Sequence, residues 1–549
     1  MKIALAQLNY HIGNFEGNSA KIIDAINNAK KENCDLIVFS ELAISGYPPL
    51  DFLDYKDFVN HCVTALEVVA KSCTSITAIV GGPALNPDIN GKNLFNAAYI
   101  LSEGILRTVV AKSLLPTYDV FDEYRWFESN KSFGCININD CKVALTVCED
   151  LWNMDADPLY TNWPMEELVK EQPQLMINIA ASPFNFAHAE ERKKILEKNV
   201  IQYKLPLIYV NHVGANTDII FDGGSLIYNK QGALICEGKY FQEDFIICEF
   251  DNKGNPSVKE KKSVVHHEVS KTERIYKALL LGISDYFSKM GFKKAVLGLS
   301  GGIDSAIVTV LATHALGKEN VHAVLMPSQF SSGHSISDSL LLVENLGISH
   351  ETIPIQPVYD SFSKSLEKGF KGLPFNIAEE NIQARIRGTL LMALSNKLNY
   401  ILLNTSNKSE LAVGYGTLYG DMCGGISVIG DLYKSEVFEL ARFLNRENEV
   451  IPQNTITKPP SAELRPNQKD SDSLPEYGIL DKILYQYIEM AKGPDEIIAL
   501  GYQEELVLRI LRMVNKSEFK RHQAPPILRI STKAFGRGRR IPLVAKYLC

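Results

Sequence analysis

Ala295-Val-Leu-Gly-Leu-Ser-Gly-Gly-Ile-Asp-Ser305 decides how the second half of this chain folds. Its apolar opening reads as a buried parallel strand. Ser300-Gly301-Gly302 makes a tight corner, and Asp304–Leu316 then repeats apolar residues at helical spacing up to Gly317. Strand, glycine turn and helix together point free backbone N–H groups at an anion. Two adjacent glycines let that backbone approach a phosphate with no Cβ in the way. Ser300 and Ser305 add hydroxyl donors, and Asp304 adds a carboxylate of the kind that suits Mg²⁺. No Lys-Ser/Thr pair closes the loop, so it is not a Walker A loop.

Working outward, strand Val321–Met326, helix Ser335–Leu346, strand Glu351–Ile355, helix Ala378–Asn396 and strand Tyr400–Asn404 follow, after a leading helix over Val269–Met290. Strands alternating with helices of this length predict a doubly wound parallel sheet, with ligands at the carboxyl ends of its strands. Ser300–Ser305, Pro327–Phe330 and Thr405–Glu410 fall at such ends and are expected to share one crevice.

The first half reads differently. Strands are expected at Ile3–Leu8, Asp35–Phe39, Ile76–Gly81, Ala97–Leu101, Leu106–Ala111, Lys142–Val147, Leu175–Ile179 and Leu207–Val210, with an amphipathic helix at Asn18–Lys31. Strands outnumber helices and several joins look like hairpins, which predicts an α/β sandwich. Strand Phe245–Phe250 closes this half. The aperiodic stretch from Asp251 through the charged run Lys259-Glu-Lys-Lys262 reads as a linker between a domain over 1–262 and one over 270–549, although such a run equally suits a solvated helix face.

Three polar residues stand at strand ends in the first half: Glu41 after Leu36-Ile-Val-Phe-Ser40, Lys112 after Arg107–Ala111, and Cys148 after Lys142–Val147. A carboxylate beside a thiol can take its proton, and a lysine beside both can favour the thiolate and steady an oxyanion. That is a plan for acyl transfer through a thioester. Taken singly, each has a plainer reading as a core cysteine or a solvated rim charge.

The bulk composition sets limits. At 549 residues the chain exceeds one core, with 46% hydrophobic and 22% charged residues. A net charge of −7 argues against a nucleic-acid surface. Ten cysteines without a Cys-X-X-Cys pair indicate neither a disulfide framework nor a zinc ribbon. The first residues turn polar by Gln7 and no apolar run approaches membrane-spanning length, so a cytoplasmic protein is expected, without membrane partners.

Resemblances sharpen the reading. Phe39–Pro49, Lys112–Phe127 and Val147-Cys-Glu-Asp-Leu-Trp152 resemble the three signature segments of the nitrilase (carbon–nitrogen hydrolase) family. The resemblance implies an αββα sandwich with Glu41 as general base, Lys112 as oxyanion stabiliser, Cys148 as nucleophile and Glu123 as a second glutamate beside the lysine. The similarity is closest to the glutaminase domains of glutamine-dependent NAD synthetases, which implies Tyr118 and Ser182 as glutamine contacts. Six residues past that serine such domains carry Lys or Arg; here the position is His188, with Arg192 and Lys193 a turn further on.

Ser300-Gly-Gly-Ile-Asp-Ser305 resembles the pyrophosphate loop of the N-type ATP pyrophosphatases. Glu380–Arg387, Asn404–Glu410, Tyr419–Gly425, Lys458–Pro466 and Lys520–Pro526 are similar to NAD synthetases. This implies ATP contacts from Gly298, Leu299, Ser300, Gly301, Gly302, Ile303, Asp304, Ser305, Thr405 and Lys434. It implies deamido-NAD contacts from Asn381, Glu410 and Lys520, Mg²⁺ held by Asp304 and Glu410, and a homo-oligomer. Three readings stay open from the residues: Lys434 and Lys520 as surface lysines, Gln523–Pro526 as a helix stop, and the basic stretch Lys533–Arg540 as a nucleic-acid or subunit contact. The expected reaction is ATP-dependent amidation of deamido-NAD with ammonia from glutamine. Another glutamine-dependent ATP-pyrophosphatase amidotransferase, a tRNA-modifying relative and a nucleotide sensor are the alternatives.

Overall fold

The computed structural model describes residues 1–88, 90–154, 157–251, 254–258, 269–466 and 468–548. The chain divides into two compact units, Met1–Val269 and Ser270–Cys549. The charged run at 259–262 lies outside the described residues.

In the first unit a seven-stranded sheet runs in the order Pro256–Val258, Asp244–Phe250, Lys2–Gln7, Leu36–Val38, Thr77–Leu85, Leu94–Ser102, Ile105–Ala111. A six-stranded sheet runs Leu234–Glu237, Leu226–Tyr228, Leu207–Asn211, Leu175–Ala180, Cys141–Val147, Ile136–Ile138. The period of two in a strand sorts residues between two cores. Ala4 and Ala6 pack with Ile22, Ala25, Ile26 and Ala29 of helix Phe15–Lys31, whereas Ile3 and Leu5 pack with Leu145, Val147 and Ile177 of the other sheet. Helix, sheet, sheet and helix is therefore the layer order: the pattern of strands and hairpins predicts the sandwich, and the nitrilase resemblance implies its αββα order. Helices Lys56–Ala70 and His188–Tyr203 complete it.

The second unit holds a five-stranded, wholly parallel sheet in the order Ser349–Thr352, Val321–Leu325, Ala295–Gly298, Ile401–Asn404, Ile426–Ser427. Helix Ile377–Leu398 covers one face, setting Ile382, Ile386 and Leu391 against Val296, Val324 and Leu402. Helix Ile303–Leu316 packs on the sheet and against helices Lys271–Met290 and Lys434–Leu444. It is buried without a break from Ser305 to Ala312, as its all-round apolar sequence requires. The doubly wound expectation holds, with two adjustments. The edge strand begins at Ser349 rather than Glu351, because its register is set by hydrogen bonding to Val321–Leu325 and not by its own polar sequence. Ile426–Ser427 adds a fifth strand too short to show a period.

Lys408 anchors the C-terminal segment to this sheet. Its ammonium is fully buried and meets Asp431 at 2.9 Å and Glu489 at 2.8 Å, and it donates to Ser531 Oγ at 2.8 Å. Asp431 in turn accepts the backbone N–H groups of Ile530 and Ser531. Arg539, from the basic stretch, is buried and donates to Glu518 at 2.8 Å, so this part of the stretch serves packing within the unit. Among the described residues no helix is long and apolar enough to cross a membrane.

Lys408→Ala leaves two buried carboxylates without their shared cation and is expected to destabilise the fold by about 3–5 kcal/mol. Urea denaturation monitored by circular dichroism reads this as a lowered midpoint.

Candidate active sites of the two units

In the first unit, Glu41 and Lys112 follow strands of the seven-stranded sheet and Cys148 follows Cys141–Val147 of the other. The Lys112 ammonium is fully buried, 2.8 Å from Glu41 Oε1 and 2.8 and 2.9 Å from the two oxygens of Glu123. Asn96 Nδ2 donates to Glu41 Oε1 at 2.7 Å and to Glu123 Oε2 at 3.2 Å, and the Tyr47 hydroxyl donates to Glu123 at 2.9 Å. The other Glu41 oxygen accepts the Ala181 N–H at 2.9 Å. A Cβ at Gly81 would lie 2.4 Å from Ser40 O and Leu42 N, so only glycine lets this strand pass behind Glu41.

Burial alone would favour a neutral Lys112 amine, yet Glu123 and Glu41 hold it well above the usual lysine range. Burial pushes the Glu123 carboxyl up to about 7, with Glu41 adding to the shift and Lys112 opposing it. Burial, then Glu41, pushes the Cys148 thiol well above its ordinary value, with Lys112 opposing. Burial thus favours the thiol over the thiolate at Cys148. Cys148 sits at φ +43°, a left-handed conformation uncommon outside glycine. Asp150 secures this turn by accepting Val147 N–H at 3.0 Å, Ser113 N–H at 2.9 Å and Leu114 N–H at 2.8 Å, which also ties the Cys148 turn to the Lys112 segment.

Around this centre, Tyr118 and Tyr160 both donate to buried Glu149, each at 2.9 Å. Ser182 Oγ lies 2.8 Å from His188 Nε2, and the His188 ring stacks on Trp152 with centroids 4.9 Å apart. Arg192 is fully buried and forms a double bond pattern to Asp222, with both N···O distances 3.0 Å, while Lys193 pairs with Glu237 at 2.7 Å.

In the second unit a cleft of about 700 Å³ opens at the carboxyl ends of the parallel strands. Gly298, Leu299, Ser300, Gly302, Ile303, Asp304, Ser305, Thr405, Lys434, Asn381, Glu410 and Lys520 all line it, as do Pro327 and Ser331. Gly301 stands behind the wall: φ is +81° there, and a Cβ would lie 2.3 Å from Ser335 O. Ser300 Oγ and Ser305 Oγ are 3.1 Å apart, and Gly302 N–H donates to Ser300 Oγ at 3.2 Å.

Lys434 Nζ bridges Asp304 at 2.5 Å and Glu410 at 3.3 Å, and Asn407 donates to Asp304 at 2.9 Å. Burial raises the Glu410 carboxyl to about 8 against the pull of Lys434, with Asp304 and Asp470 pushing the same way. Among the described residues no three His, Cys, Asp or Glu side chains gather as a ready metal cage. The pair Asp304 and Glu410 still fits magnesium, which takes one or two carboxylates and draws its other oxygens from water and phosphate. Three carboxylates interacting with one ammonium leave negative charge for a cation to balance. Lys434 is buried and Lys520 donates to Gly414 O and Gly416 O at 2.8 and 2.7 Å, so neither is a free surface lysine.

Two family models match the chain: carbon-nitrogen hydrolase over residues 2–256 and NAD synthase over 275–524. The glutamine-dependent NAD(+) synthetase of Synechocystis sp. is 45% identical over 552 residues, covering 99% of both chains. That of Thermotoga maritima is 39% identical, covering 100% of this chain and 99% of its own. The chain belongs to the glutamine-dependent NAD(+) synthetases. The solved Acinetobacter baumannii member, in complex with ADP, superposes with a TM-score of 0.78 at 37% identity, over 99% of this chain and 98% of its own. The Cytophaga hutchinsonii member shares the fold, with a TM-score of 0.83 at 21% identity, over the same shares of the two chains.

Sequence reasoning on this synthetase family overlooked several residues of both sites. Asn96 bridges Glu41 and Glu123, but nothing distinguishes it from other strand asparagines. Glu463 accepts from Ser332 Oγ at 2.9 Å and Ser335 Oγ at 2.8 Å, which latches the Lys458–Pro466 segment over the cleft. Its place within Lys458–Pro466 is the one signal of it in the sequence.

Glu123 has a folded value near 7 against 4.5 for a free glutamate, so its protonated form is the one the fold favours. Its stabilising contribution is full below pH 4.5 and is lost as pH rises through about 7. The stability of Glu123→Gln relative to wild type should therefore increase over that window, measured by denaturant titration at several pH values. Gly301→Ala is expected to lower ATP-dependent turnover at least tenfold with either nitrogen source while sparing glutamine hydrolysis, as strain and overlap at one backbone site cost on the order of 1–3 kcal/mol. Separate assays of the two half-reactions read it.

Proposed function

We propose that this chain makes NAD⁺ by ATP-dependent amidation of deamido-NAD, with ammonia drawn from glutamine and with glutamate, AMP and pyrophosphate as the other products. The observation that carries this reading is the presence, in one chain, of a buried Glu41–Lys112 pair beside Cys148 and a glycine-turned anion loop at the mouth of a parallel sheet. Residues 1–262 house the glutaminase and 270–549 the amidation site.

In the glutaminase, Glu41 accepts the Cys148 thiol proton as sulfur adds to the amide carbon. The Lys112 ammonium, already held charged by two carboxylates, stabilises the oxyanion that forms. The proton returns from Glu41 to the leaving nitrogen and ammonia departs, leaving a thioester. Glu41 then deprotonates water, which attacks the thioester; the carbon–sulfur bond breaks, Cys148 takes the proton back from Glu41 and glutamate is released. A base already paired with a lysine accepts a proton without leaving that lysine unpaired, because Glu123 remains its partner. Tyr118, Ser182 and His188 hold the substrate.

In the second site the nicotinate carboxylate attacks the α-phosphorus of ATP and pyrophosphate leaves. A free carboxylate is a poor acyl electrophile, and adenylation gives it a good leaving group. Ammonia then adds to the acyl carbon and AMP leaves. The loop from Gly298 to Ser305 supplies backbone N–H groups and hydroxyls to the phosphates, with Thr405 orienting the nucleotide. Lys434 exchanges its carboxylate partners for phosphate oxygens, and Asn381, Glu410 and Lys520 hold deamido-NAD. Magnesium, held by Asp304 and Glu410, would neutralise phosphate charge.

The test is NAD⁺ formation from deamido-NAD, ATP and Mg²⁺ by wild type and Cys148→Ala, each given glutamine or ammonium. Cys148→Ala should lose glutamine-driven synthesis by at least about a thousandfold, in line with removal of a nucleophile, and keep the ammonium-driven rate within about twofold. Absence of NAD⁺ from wild type with either donor would reject the substrate assignment.

A further inference from the structure

One side chain joins the two glutamates of the first site and has no part in the steps derived above. Asn96 is fully buried on strand Leu94–Ser102, opposite Pro83 of strand Thr77–Leu85. Its backbone carbonyl accepts the Lys112 N–H at 2.8 Å, which holds the amide and the buried ammonium in one register. Its Nδ2 donates to Glu41 Oε1 at 2.7 Å and to Glu123 Oε2 at 3.2 Å, using both hydrogens that an amide nitrogen carries. Its Oδ1 is buried and has no hydrogen-bond partner among the described residues. An orphaned buried acceptor costs stability, so packing alone does not account for an amide here.

The two glutamates differ in their partners. Glu41 accepts from Lys112 at 2.8 Å, from Asn96 at 2.7 Å and from the Ala181 N–H at 2.9 Å. All three present only N–H to it, and none offers an acceptor for a carboxyl proton. Glu123 takes Lys112 on both oxygens and Asn96 at the longer distance. Its remaining partner is the Tyr47 hydroxyl at 2.9 Å, which can turn and accept a proton instead. We propose that Asn96 is the positioning residue that divides the work between these carboxylates: its shorter bond keeps Glu41 a pure acceptor and leaves a shared proton to Glu123. The inference rests on the reading of Glu41 as the base that takes the Cys148 proton.

The division matters because a proton is close at hand. Burial raises Glu123 to about 7, so a proton enters the pair as pH falls through neutrality. The other titratable groups facing the pair are Lys112, Cys148, Glu149, Tyr47 and Tyr160. Lys112 stays charged, and burial keeps the thiol and both hydroxyls protonated. Glu149 is hydrogen-bonded to Tyr118 and Tyr160 rather than to Asn96. With the shared proton on Glu123, Glu41 is free to take the proton of Cys148; with it on Glu41, the base is spent. Leucine at position 96 is similar in size and donates nothing. It removes the shorter bond from Glu41 and only the longer one from Glu123, so the proton moves toward Glu41.

The pH profile of glutamine hydrolysis by the full-length chain reads this shift. For Asn96→Leu, kcat is expected to fall at least about threefold below wild type near pH 6 and to rejoin it above about pH 8, where the pair has lost its proton, with KM unchanged within about twofold. Asn96→Ala, which brings no overpacking, should show the same acid-side loss. Alkylation of Cys148 by iodoacetamide, followed by mass spectrometry of the Cys148 peptide, should slow over the same pH range, because it needs the same base and no glutamine. A loss by one factor at every pH, or one confined to KM, would make Asn96 a packing residue and overturn the proposal. A profile and alkylation rate unchanged from wild type would overturn it equally. If Glu41→Gln hydrolyses glutamine at the wild-type rate, the base reading beneath the proposal fails instead.

Discussion

The Lys112 ammonium is fully buried, and the arrangement of the first site follows from that burial. A buried charge must be paired, so Glu41 and Glu123 converge on it from separate segments, and Asn96 and Tyr47 satisfy the oxygens the lysine leaves over. Two carboxylates around one cation cannot both stay ionised at no cost, which is why burial and Glu41 raise Glu123. The result is a Glu41 carboxylate held in a fixed direction and a Lys112 ammonium that stays charged. Cys148 comes from the opposite sheet and is held in left-handed backbone by the three N–H groups that Asp150 collects.

The second unit meets the same constraint at Lys408 and Lys434 with opposite ends. Lys408 is enclosed by Asp431 and Glu489 and ties distant backbone together; nothing about it reaches the cleft lining. Lys434 faces the cleft, together with its partners Asp304 and Glu410. Identical residue types thus tie the fold together in one place and line an open cleft in the other. What separates them is whether a cavity lies beside the pair.

Much of this was legible in the chain. Strand–glycine–helix at Ala295–Leu316, the alternation that follows it, and the sandwich of the first half all appear at nearly the expected bounds, because period and turn residues are local properties. Where the pattern is too short or too polar, as at Ile426–Ser427 and Ser349–Thr352, pairing with a neighbour defines the strand and no local signal could. His188 shows the same division within the site. Its sequence position marked it as unusual, but Arg192 and Lys193 looked equally available as cations until Asp222 and Glu237 were seen to hold them.

The sequence by itself determined the periodicities, the glycines that turn the loop at Gly301–Gly302 and clear space behind Glu41, and the inventory of carboxylates, lysines and thiols. Those depend on covalent structure and on spacing along one segment. Only the tertiary structure decided which charges are paired, which are buried, and which remain open to a ligand. Pairing joins residues as distant as Glu41 and Lys112, or Asp304 and Lys434, and desolvation depends on everything packed around them. Neither quantity exists until the chain has closed on itself.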